Sequence, residues 1–279
     1  MKSIARALAD AARQLAKASD TARLDAELLM AEALNIDRDR LILSPPDRTV
    51  PDRFWAMVER RLAGEPIAYI TGRRGFWNID LHVGPGVLIP RPDSEVLVAA
   101  AIEHFDGTAG PKRILDLGTG PGTLLLAALD VWPKARGTGV DVSRNALAYA
   151  AANARRLGFD ERADLKLGDW ADGITQRFDL ILCNPPYVVE GAELGPGVAE
   201  YEPGEALFAG KEGLDAYRAL APQLPRLLEP GGLAAVEIGF DQADAVTELL
   251  ARDGLGSRVV NDFGGRPRAV LLTWAKGQD

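Results

Sequence analysis

The chain has 279 residues, 47% of them hydrophobic and 26% charged, and a formal net charge of −8. This hydrophobic share is ordinary for a globular protein, and the length allows one large domain or two smaller ones. The acidic balance disfavours a protein whose main partner is a nucleic-acid backbone. A single cysteine, Cys183, excludes an internal disulfide, and with only two histidines we expect no metal site.

The beginning of the chain favours neither a signal peptide nor a membrane segment. Arg6, Asp10 and Arg13 interrupt its apolar residues. No stretch approaches the roughly 18 apolar residues that a membrane helix needs. Two arginines on an apolar helix are also typical of a mitochondrial transit peptide, but Asp10 and Asp20 are not. We therefore expect a cytoplasmic protein that does not associate with membranes.

Residues 1–74 predict a bundle of four or five helices. The stretch lacks strand signals and repeats apolar side chains at helical spacing, with a break at Pro45-Pro46. It carries 13 Lys/Arg against 11 Asp/Glu, so the acidic excess belongs to the remainder. We assign residues 1–74 to a first domain.

A β-hairpin and a parallel sheet are predicted beyond the bundle. Residues 76–90 alternate in polarity around Gly84-Pro85-Gly86, which predicts a hairpin within a linker of residues 75–92. From Ser94 onward, strand and helix patterns alternate, as in an α/β domain with a mostly parallel sheet. Residues 258–260 and 269–274 predict a closing antiparallel pair. We assign residues 93–279 to a second domain.

A glycine-rich loop follows the apolar strand Ile114–Leu117. Glycines recur at every second position there, and a dinucleotide-binding turn would instead need a Gly-x-Gly-x-x-Gly spacing. Pro121 also removes one backbone N–H that a phosphate would use. The loop therefore disfavours a nicotinamide cofactor and suits a ligand without phosphate, such as S-adenosylmethionine. The predicted loop contacts are Gly118, Thr119, Gly120, Pro121 and Gly122.

Two further strand ends carry side chains suited to adenosine. Asp141 ends the next apolar strand, where a carboxylate can accept both ribose hydroxyls. Asp169 and Trp170 follow a third strand-like stretch, and could bond the adenine amino group and pack on the ring. Taken alone, Asp169 is more often a turn residue and Trp170 a core residue. Because these residues follow the glycine loop at successive strand ends, we favour their assignment to the cofactor site.

The tetrapeptide Asn184-Pro185-Pro186-Tyr187 ends a fourth apolar strand. Ligands bind at the carboxyl ends of the strands in open α/β sheets. Asn184 offers an amide oxygen, and the prolines restrict the backbone so that the Asn184 and Pro185 carbonyls point one way. Such a site suits a planar –NH₂ group. We therefore predict catalytic roles for Asn184, Pro185 and Tyr187, and substrate contacts from all four residues, with Asn184 also bordering the cofactor.

The order of these motifs resembles class I S-adenosylmethionine-dependent methyltransferases. Stretches outside the site narrow the resemblance to the PrmC/HemK release-factor glutamine methyltransferases, and it spans nearly the whole chain. Pro121 and Asp93-Ser94-Glu95 depart from the family's more usual Ser and Glu-Thr-Glu. The stretches that carry this narrower resemblance are Arg23–Leu29, Gly64–Ile70, Val87–Pro92, Tyr201–Pro203, Gly213–Asp215 and Glu237–Gly239.

The resemblance implies a Rossmann-like class I methyltransferase domain with an amino-terminal helical domain joined by a β-hairpin. It implies methyl transfer from S-adenosylmethionine to the glutamine of the Gly-Gly-Gln motif in class 1 peptide-chain release factors. The first domain would then recognise the release factor. Arg60, Arg61, Arg73 and Arg74 are either part of that contact or a solvated face. We expect a monomer that does not bind nucleic acid directly.

Several alternatives remain open at the level of sequence. The same tetrapeptide would serve a ribosomal-protein glutamine methyltransferase. It would also serve a nucleic-acid amino-group methyltransferase, although the acidic balance argues against that class. A module that binds S-adenosylmethionine without catalysis is disfavoured by the intact Asn184–Tyr187 motif. Cys183 beside it is interpreted as a buried core residue rather than a nucleophile.

Overall fold

The computed structural model describes residues 3–44 and 46–275, so Pro45, at the predicted helix break, lies outside the described residues. The chain divides into two compact units. Unit 1 comprises Met1–Arg73 and Leu194–Glu202, and unit 2 comprises Arg74–Glu193 and Pro203–Asp279. No sequence pattern predicts that a segment beyond the Asn184–Tyr187 motif belongs with the amino-terminal helices.

The helices and strands of the structure are each numbered in chain order. The helices are α1 (Ile4–Leu15), α2 (Ala22–Leu34), α3 (Arg38–Leu43), α4 (Asp52–Leu62), α5 (Ile67–Thr71), α6 (Glu95–His104), α7 (Thr123–Val131), α8 (Arg144–Leu157), α9 (Val198–Tyr201), α10 (Asp215–Leu220), α11 (Leu224–Leu227) and α12 (Ala243–Leu250). The strands are β1 (Arg73–Phe76), β2 (Ile79–His82), β3 (Arg113–Leu117), β4 (Arg136–Asp141), β5 (Ala163–Leu167), β6 (Phe178–Cys183), β7 (Leu228–Glu237), β8 (Leu255–Asn261) and β9 (Pro267–Trp274). Short 3-10 turns cover Pro92–Ser94 and Gly204–Ala206.

Unit 1 is helical, and its five helices α1–α5 confirm the bundle predicted for this part of the chain. Its core is formed by aliphatic side chains of α1 and α2 together with Phe54 and Val58 of α4. The segment 194–202 adds the single turn α9. There the Tyr201 hydroxyl donates to the Ala63 carbonyl at 3.2 Å.

The arginines near the end of unit 1 are paired with carboxylates. Arg61 Nε donates to Asp25 Oδ2 at 2.8 Å, and both side chains are largely buried. Arg60 binds Glu65, and Arg73 lies 3.3 Å from Glu32. Three of the four arginines are thus paired, whereas Arg74 Nε donates to the Pro90 carbonyl at 3.3 Å. The solvated-face alternative fails for Arg61, whose side chain is only 17% exposed, and the docking role of the cluster remains a prediction.

Unit 2 is built on a seven-stranded sheet in the order β5-β4-β3-β6-β7-β9-β8. β5, β4, β3, β6 and β7 are parallel, whereas β9 runs antiparallel to both β7 and β8. This arrangement confirms the mostly parallel sheet and the closing antiparallel pair. From β3 the chain moves to β4 and β5, then returns to place β6 on the other side of β3. Ligands bind at such a topological switch point in open α/β sheets.

The register of the central strands aligns their carboxyl ends. Leu117 of β3 pairs with Val140 of β4 on one side and with Cys183 of β6 on the other. The residues that follow each of these positions therefore emerge at one edge of the sheet. Cys183 is fully buried, and burial raises the pKa of its thiol well above the ordinary value. This confirms its interpretation as a core residue.

The hairpin is shorter and begins earlier than predicted. β1 and β2 pair at residues 73–82, and residues 87–90 form no strand. The predicted span of residues 76–90 was therefore wrong in its second half. Val87 and Ile89 are buried at 1% and 6% exposure, so their alternation reflects packing of an irregular segment. Pro90 cannot donate a ladder hydrogen bond, which disfavours a strand there.

Candidate active site

A cleft of about 1080 Å³, including its open mouth, lies at the aligned ends of β3, β4, β5 and β6. Its lining brings together most of the residues singled out in the sequence. They are Gly118, Thr119, Gly120, Pro121, Asp141, Asp169, Trp170, Asn184 and Pro186. Gly122, Pro185 and Tyr187 are not part of this lining, so their predicted contacts with cofactor or substrate remain predictions.

The glycine loop is held against the end of β4. The backbone N–H groups of Gly118 and Thr119 both donate to the Val140 carbonyl, at 2.9 and 3.0 Å. Gly118 and Gly120 have φ values of +71° and +56°, which favour glycine. Gly122 serves packing instead: a Cβ there would lie 2.7 Å from the Leu126 side chain of α7.

Asp116 is a cleft residue that the sequence analysis missed. It lies within β3, is 1% exposed, and lines the cleft. Its Oδ2 accepts from Thr119 Oγ1 at 2.6 Å and from the Leu125 N–H at 3.1 Å, whereas Oδ1 has no hydrogen-bond partner among the described residues. Burial raises its pKa to about 7. The sequence feature that could have revealed Asp116 is an acidic residue inside an otherwise apolar strand.

Asn153 of α8 is a second residue that the sequence did not reveal. Its fully buried side chain donates from Nδ2 to the Pro121 carbonyl at 2.9 Å and to the His82 carbonyl at 3.0 Å. Its Oδ1 accepts from the His82 N–H at 2.7 Å. One amide thus ties the glycine loop to β2. A buried Asn in a helix predicts such a contact, but not its partners.

Asp141, Asp169 and Trp170 border the cleft on the side of β4 and β5. Each oxygen of the Asp141 carboxylate accepts one backbone N–H, from Gly120 and from Ser143. Asp169 is exposed. Trp170 has a φ of +49°, an uncommon conformation for a bulky side chain. Its ring lies 3.9 Å from where a Cβ on Gly118 would be, so the indole borders the glycine loop.

The Asn184 side chain is anchored through its nitrogen. Its Nδ2 donates to Ser94 Oγ at 3.1 Å, which leaves Oδ1 as the acceptor available to a ligand. Pro185 is buried beside it. The Tyr187 hydroxyl donates to Glu237 Oε1 at 3.3 Å, and burial with this carboxylate raises the pKa of Tyr187 to about 12. The Tyr187 side chain is thus anchored to the end of β7, and its predicted substrate contact remains a prediction.

Comparison with known proteins identifies the family. Residues 6–72 match the PrmC N-terminal domain, and residues 110–249 match a methyltransferase domain. The release factor glutamine methyltransferase of Rhodospirillum rubrum is 43% identical over 89% of this chain and 78% of its own length. That of Moorella thermoacetica is 40% identical over 95% and 96%. The chain belongs to the release factor glutamine methyltransferase family. Its methyl donor is S-adenosylmethionine.

Solved structures agree with the methyltransferase fold. A methyltransferase from Pyrococcus furiosus superposes with a TM-score of 0.52 at 19% identity, over 77% of this chain and 95% of that one. The T. thermophilus 16S rRNA N2 G1207 methyltransferase RsmC also gives 0.52, at 20% identity over 73% and 50%. No helix in residues 3–44 or 46–275 is long and apolar enough to cross a membrane.

The cleft of this family member fits S-adenosylmethionine by its own chemistry. The cofactor carries an ammonium group and an adenosine, and no phosphate. Asp116 Oδ1 is a buried carboxylate oxygen without a partner among the described residues, which an ammonium group would satisfy. A Cβ added at Gly120 would meet no atom within 4 Å, so the absence of a side chain there leaves open space beside the loop.

Proposed function

We propose that this chain methylates the side-chain amide nitrogen of a glutamine, namely that of the Gly-Gly-Gln motif in class 1 peptide-chain release factors. The observation that carries the proposal is the anchored Asn184 amide at the cleft edge, which keeps Oδ1 available as an acceptor. An acceptor at this place suits a planar –NH₂ group. The curated relatives, named release factor glutamine methyltransferases, supply the substrate class.

The chemistry follows from the weakness of an amide nitrogen as a nucleophile, because its lone pair is delocalised into the carbonyl. No base at neutral pH would deprotonate it, so the site must act by geometry. Asn184 Oδ1 and the Pro185 carbonyl would accept the two N–H bonds and direct the lone pair away from them. The same acceptors stabilise positive charge that develops on the nitrogen. When bound, S-adenosylmethionine would supply an electrophilic methyl group and would be released as S-adenosylhomocysteine, and the methylated nitrogen would then lose one proton.

Each part of the cofactor has a counterpart in the cleft. Asp116 would bind the ammonium group through Oδ1, while Thr119 and the start of α7 hold its other oxygen. Asp141 would accept from the ribose hydroxyls, since each of its oxygens keeps a lone pair beyond its one backbone contact. Asp169 and Trp170 would contact the adenine, in keeping with their place on the cleft lining.

Recognition of the release factor is assigned to the amino-terminal part, residues 1–74, with residues 75–92 as the connection to the methyltransferase domain, residues 93–279. The match of residues 6–72 to the PrmC N-terminal domain supports this assignment. Segment 194–202 joins the assignment because it belongs to unit 1. The protein would act as a monomer in the cytoplasm without binding nucleic acid directly.

The decisive experiment is mass spectrometry of a purified class 1 release factor after incubation with the protein and S-adenosylmethionine. We expect one added methyl group on the Gly-Gly-Gln glutamine, and far less methylation in the same incubation time with the Asn184→Ala protein. Methylation of a ribosomal-protein glutamine or of a nucleic acid, with the release factor unmodified, would overturn the assigned substrate. Binding of S-adenosylmethionine without transfer to any of these would overturn the assigned reaction.

A further inference from the structure

Ser94 occupies a position behind the reactive edge of the cleft. It ends the 3-10 turn Pro92–Ser94 immediately before α6 and is 2% exposed. Its Oγ accepts the Asn184 Nδ2–H at 3.1 Å. A buried hydroxyl has one proton to donate besides the lone pairs with which it accepts. If the Ser94 hydroxyl donates its proton to another group, it can only accept a hydrogen bond from Asn184.

Glu237, the last residue of β7, is joined to the Asn184–Tyr187 motif through the Tyr187 hydroxyl. The carboxylate is 1% exposed, and its Oε1 accepts from the Tyr187 hydroxyl at 3.3 Å. Its Oε2 has no hydrogen-bond partner within ordinary geometry among the described residues. Burial raises the pKa of this carboxyl to about 7, and the Ser94 hydroxyl is one of the groups that counteract that rise. A carboxylate lone pair is therefore open to the Ser94 proton.

We propose that Ser94 is a positioning residue that fixes which end of the Asn184 amide faces the substrate. In this arrangement the Ser94 hydroxyl donates to the Glu237 carboxylate when that group is ionised, and therefore presents only lone pairs to Asn184. Only the –NH₂ end of the amide can bond to those lone pairs, so Oδ1 is turned to the substrate. This inference rests on the proposed function, because Oδ1 is the acceptor assigned there to the glutamine –NH₂ group.

A reversed amide would be inactive for a simple reason. It would place the Asn184 –NH₂ group against the –NH₂ group of the substrate, two donors with no acceptor between them. Glu237 acts on Asn184 through Ser94: once ionised, its carboxylate can only accept, so it sets the direction of the Ser94 proton. Tyr187 donates to the same carboxylate and cannot take over this role, since its proton already goes to Oε1.

The test compares Ser94→Ala with Ser94→Thr, which keeps the hydroxyl. We expect Ser94→Ala to lower kcat for the release factor by about 10- to 100-fold, the scale of a misplaced reacting group. Ser94→Thr should retain most of the activity, and the dissociation constant of S-adenosylmethionine should change less than about threefold in both. Ser257→Ala, which removes an exposed hydroxyl on β8, controls for loss of a hydroxyl as such.

A second readout uses the protein alone, without cofactor or substrate. In ¹⁵N-labelled protein, the Asn184 side-chain –NH₂ resonances are assigned by their loss in Asn184→Asp. We expect their exchange with solvent to accelerate about tenfold or more in Ser94→Ala, since the hydrogen bond to Oγ is removed, and to stay near the original rate in Ser94→Thr. Thermal unfolding of each variant identifies any loss of folding.

The outcomes are distinct. Unchanged kcat and unchanged –NH₂ exchange in a folded Ser94→Ala protein would overturn the positioning role. Equal losses in Ser94→Ala and Ser94→Thr would overturn it as well, because the hydroxyl would then not matter. If the unmodified protein methylates no release factor, the proposed function fails, while the exchange measurement still decides whether Ser94 holds the Asn184 amide.

Discussion

The backbone N–H of Gly120 donates to Asp141 Oδ2 at 2.8 Å, which joins the glycine loop after β3 to the end of β4. The other oxygen, Oδ1, accepts the Ser143 N–H at 2.8 Å, just before α8 begins. One carboxylate therefore sets the shape of two neighbouring strand ends. Such preorganisation reduces the ordering that a ligand must bring about on binding.

Asp141→Asn should weaken S-adenosylmethionine binding by about tenfold or more. Both Asp141 oxygens face backbone donors, so an amide must place its –NH₂ group against the N–H of either Gly120 or Ser143. Calorimetric titration measures the affinity. Asp160→Asn, at an exposed position, serves as the matched control. Equal affinities in the two variants would contradict the role of Asp141.

Asp116→Asn should weaken cofactor binding and leave the protein folded. The new amide can direct its oxygen to Thr119 and Leu125 and leave its –NH₂ group toward the cleft, so the fold should tolerate it. A charge-assisted hydrogen bond to the cofactor ammonium would be lost, which costs about 1.5–3 kcal/mol, or roughly 10- to 100-fold in affinity. Calorimetry and thermal unfolding test both parts. Unchanged affinity in a folded variant would exclude Asp116 from cofactor binding.

Much of the fold could be predicted because the signals are local. α8 begins after Ser143, whose Oγ accepts the Ala146 N–H, and ends at Gly158 with a φ of +74°, as its capping residues predict. The motifs after β3, β4 and β6 could be placed at one sheet edge, because parallel strands end on the same side. Local patterns of this kind do not depend on partners distant in the chain.

The rest of the site could not be predicted, because its partners are distant in sequence. In the sequence, Glu237 is recognisable only as part of a stretch that resembles the family. Its contact with Tyr187 joins residues 50 positions apart in the chain. The Ser94–Asn184 contact spans 90 positions. A polar residue in an apolar strand indicates a buried group but does not identify what it binds. The assignment of residues 194–202 to unit 1 likewise depends on tertiary packing.

Asn184→Ala should lower the single-turnover rate of methyl transfer by about 100-fold or more, which is typical for loss of a preorganised polar group at the reacting centre. The affinity for S-adenosylmethionine should fall much less, because Asp116 and Asp141 are untouched. Rapid-quench measurements give the rate, and calorimetry gives the affinity. Parallel losses in both would mean that Asn184 serves the cofactor rather than the substrate amide.

Glu237 should make the stability of the protein depend on pH. Burial raises its pKa from 4.5 to about 7. The folded state therefore holds the proton more tightly than the unfolded state. The stability this contributes is fully present below about pH 4.5 and is lost as pH rises through about 7. Charged and titratable groups that influence or respond to Glu237 are Tyr187, Arg268, Asp93, Cys183 and Tyr217.

Comparison with Glu237→Gln isolates this effect, since Asp116 has a pKa in the same range but is present in both proteins. Between about pH 5.5 and 8.5, the unfolding free energy of the unmodified protein should fall relative to the variant, by about 2 kcal/mol. Denaturant titrations at both pH values measure the difference. A difference that does not change with pH would show that Glu237 does not titrate in this range.

Gly197→Ala should disrupt the packing of segment 194–202 within unit 1. Gly197 has a φ of +79°, and a Cβ there would lie 2.3 Å from the Gly64 carbonyl oxygen, a backbone atom that cannot move aside easily. Gly191→Ala is a matched control, because Gly191 has a φ of +80° but a Cβ would meet no atom within 4 Å. Both variants carry the same backbone strain, and only one adds a clash.

Limited proteolysis distinguishes the two glycine variants, because cleavage within residues 194–202 requires that segment to leave its packed position. We expect cleavage there to be faster in Gly197→Ala than in Gly191→Ala. If this segment also takes part in recognising the release factor, as assigned above, the KM for the release factor should rise more in Gly197→Ala, with S-adenosylmethionine affinity unchanged. Equal cleavage in both variants would mean that the Gly64–Gly197 approach does not hold the segment in place.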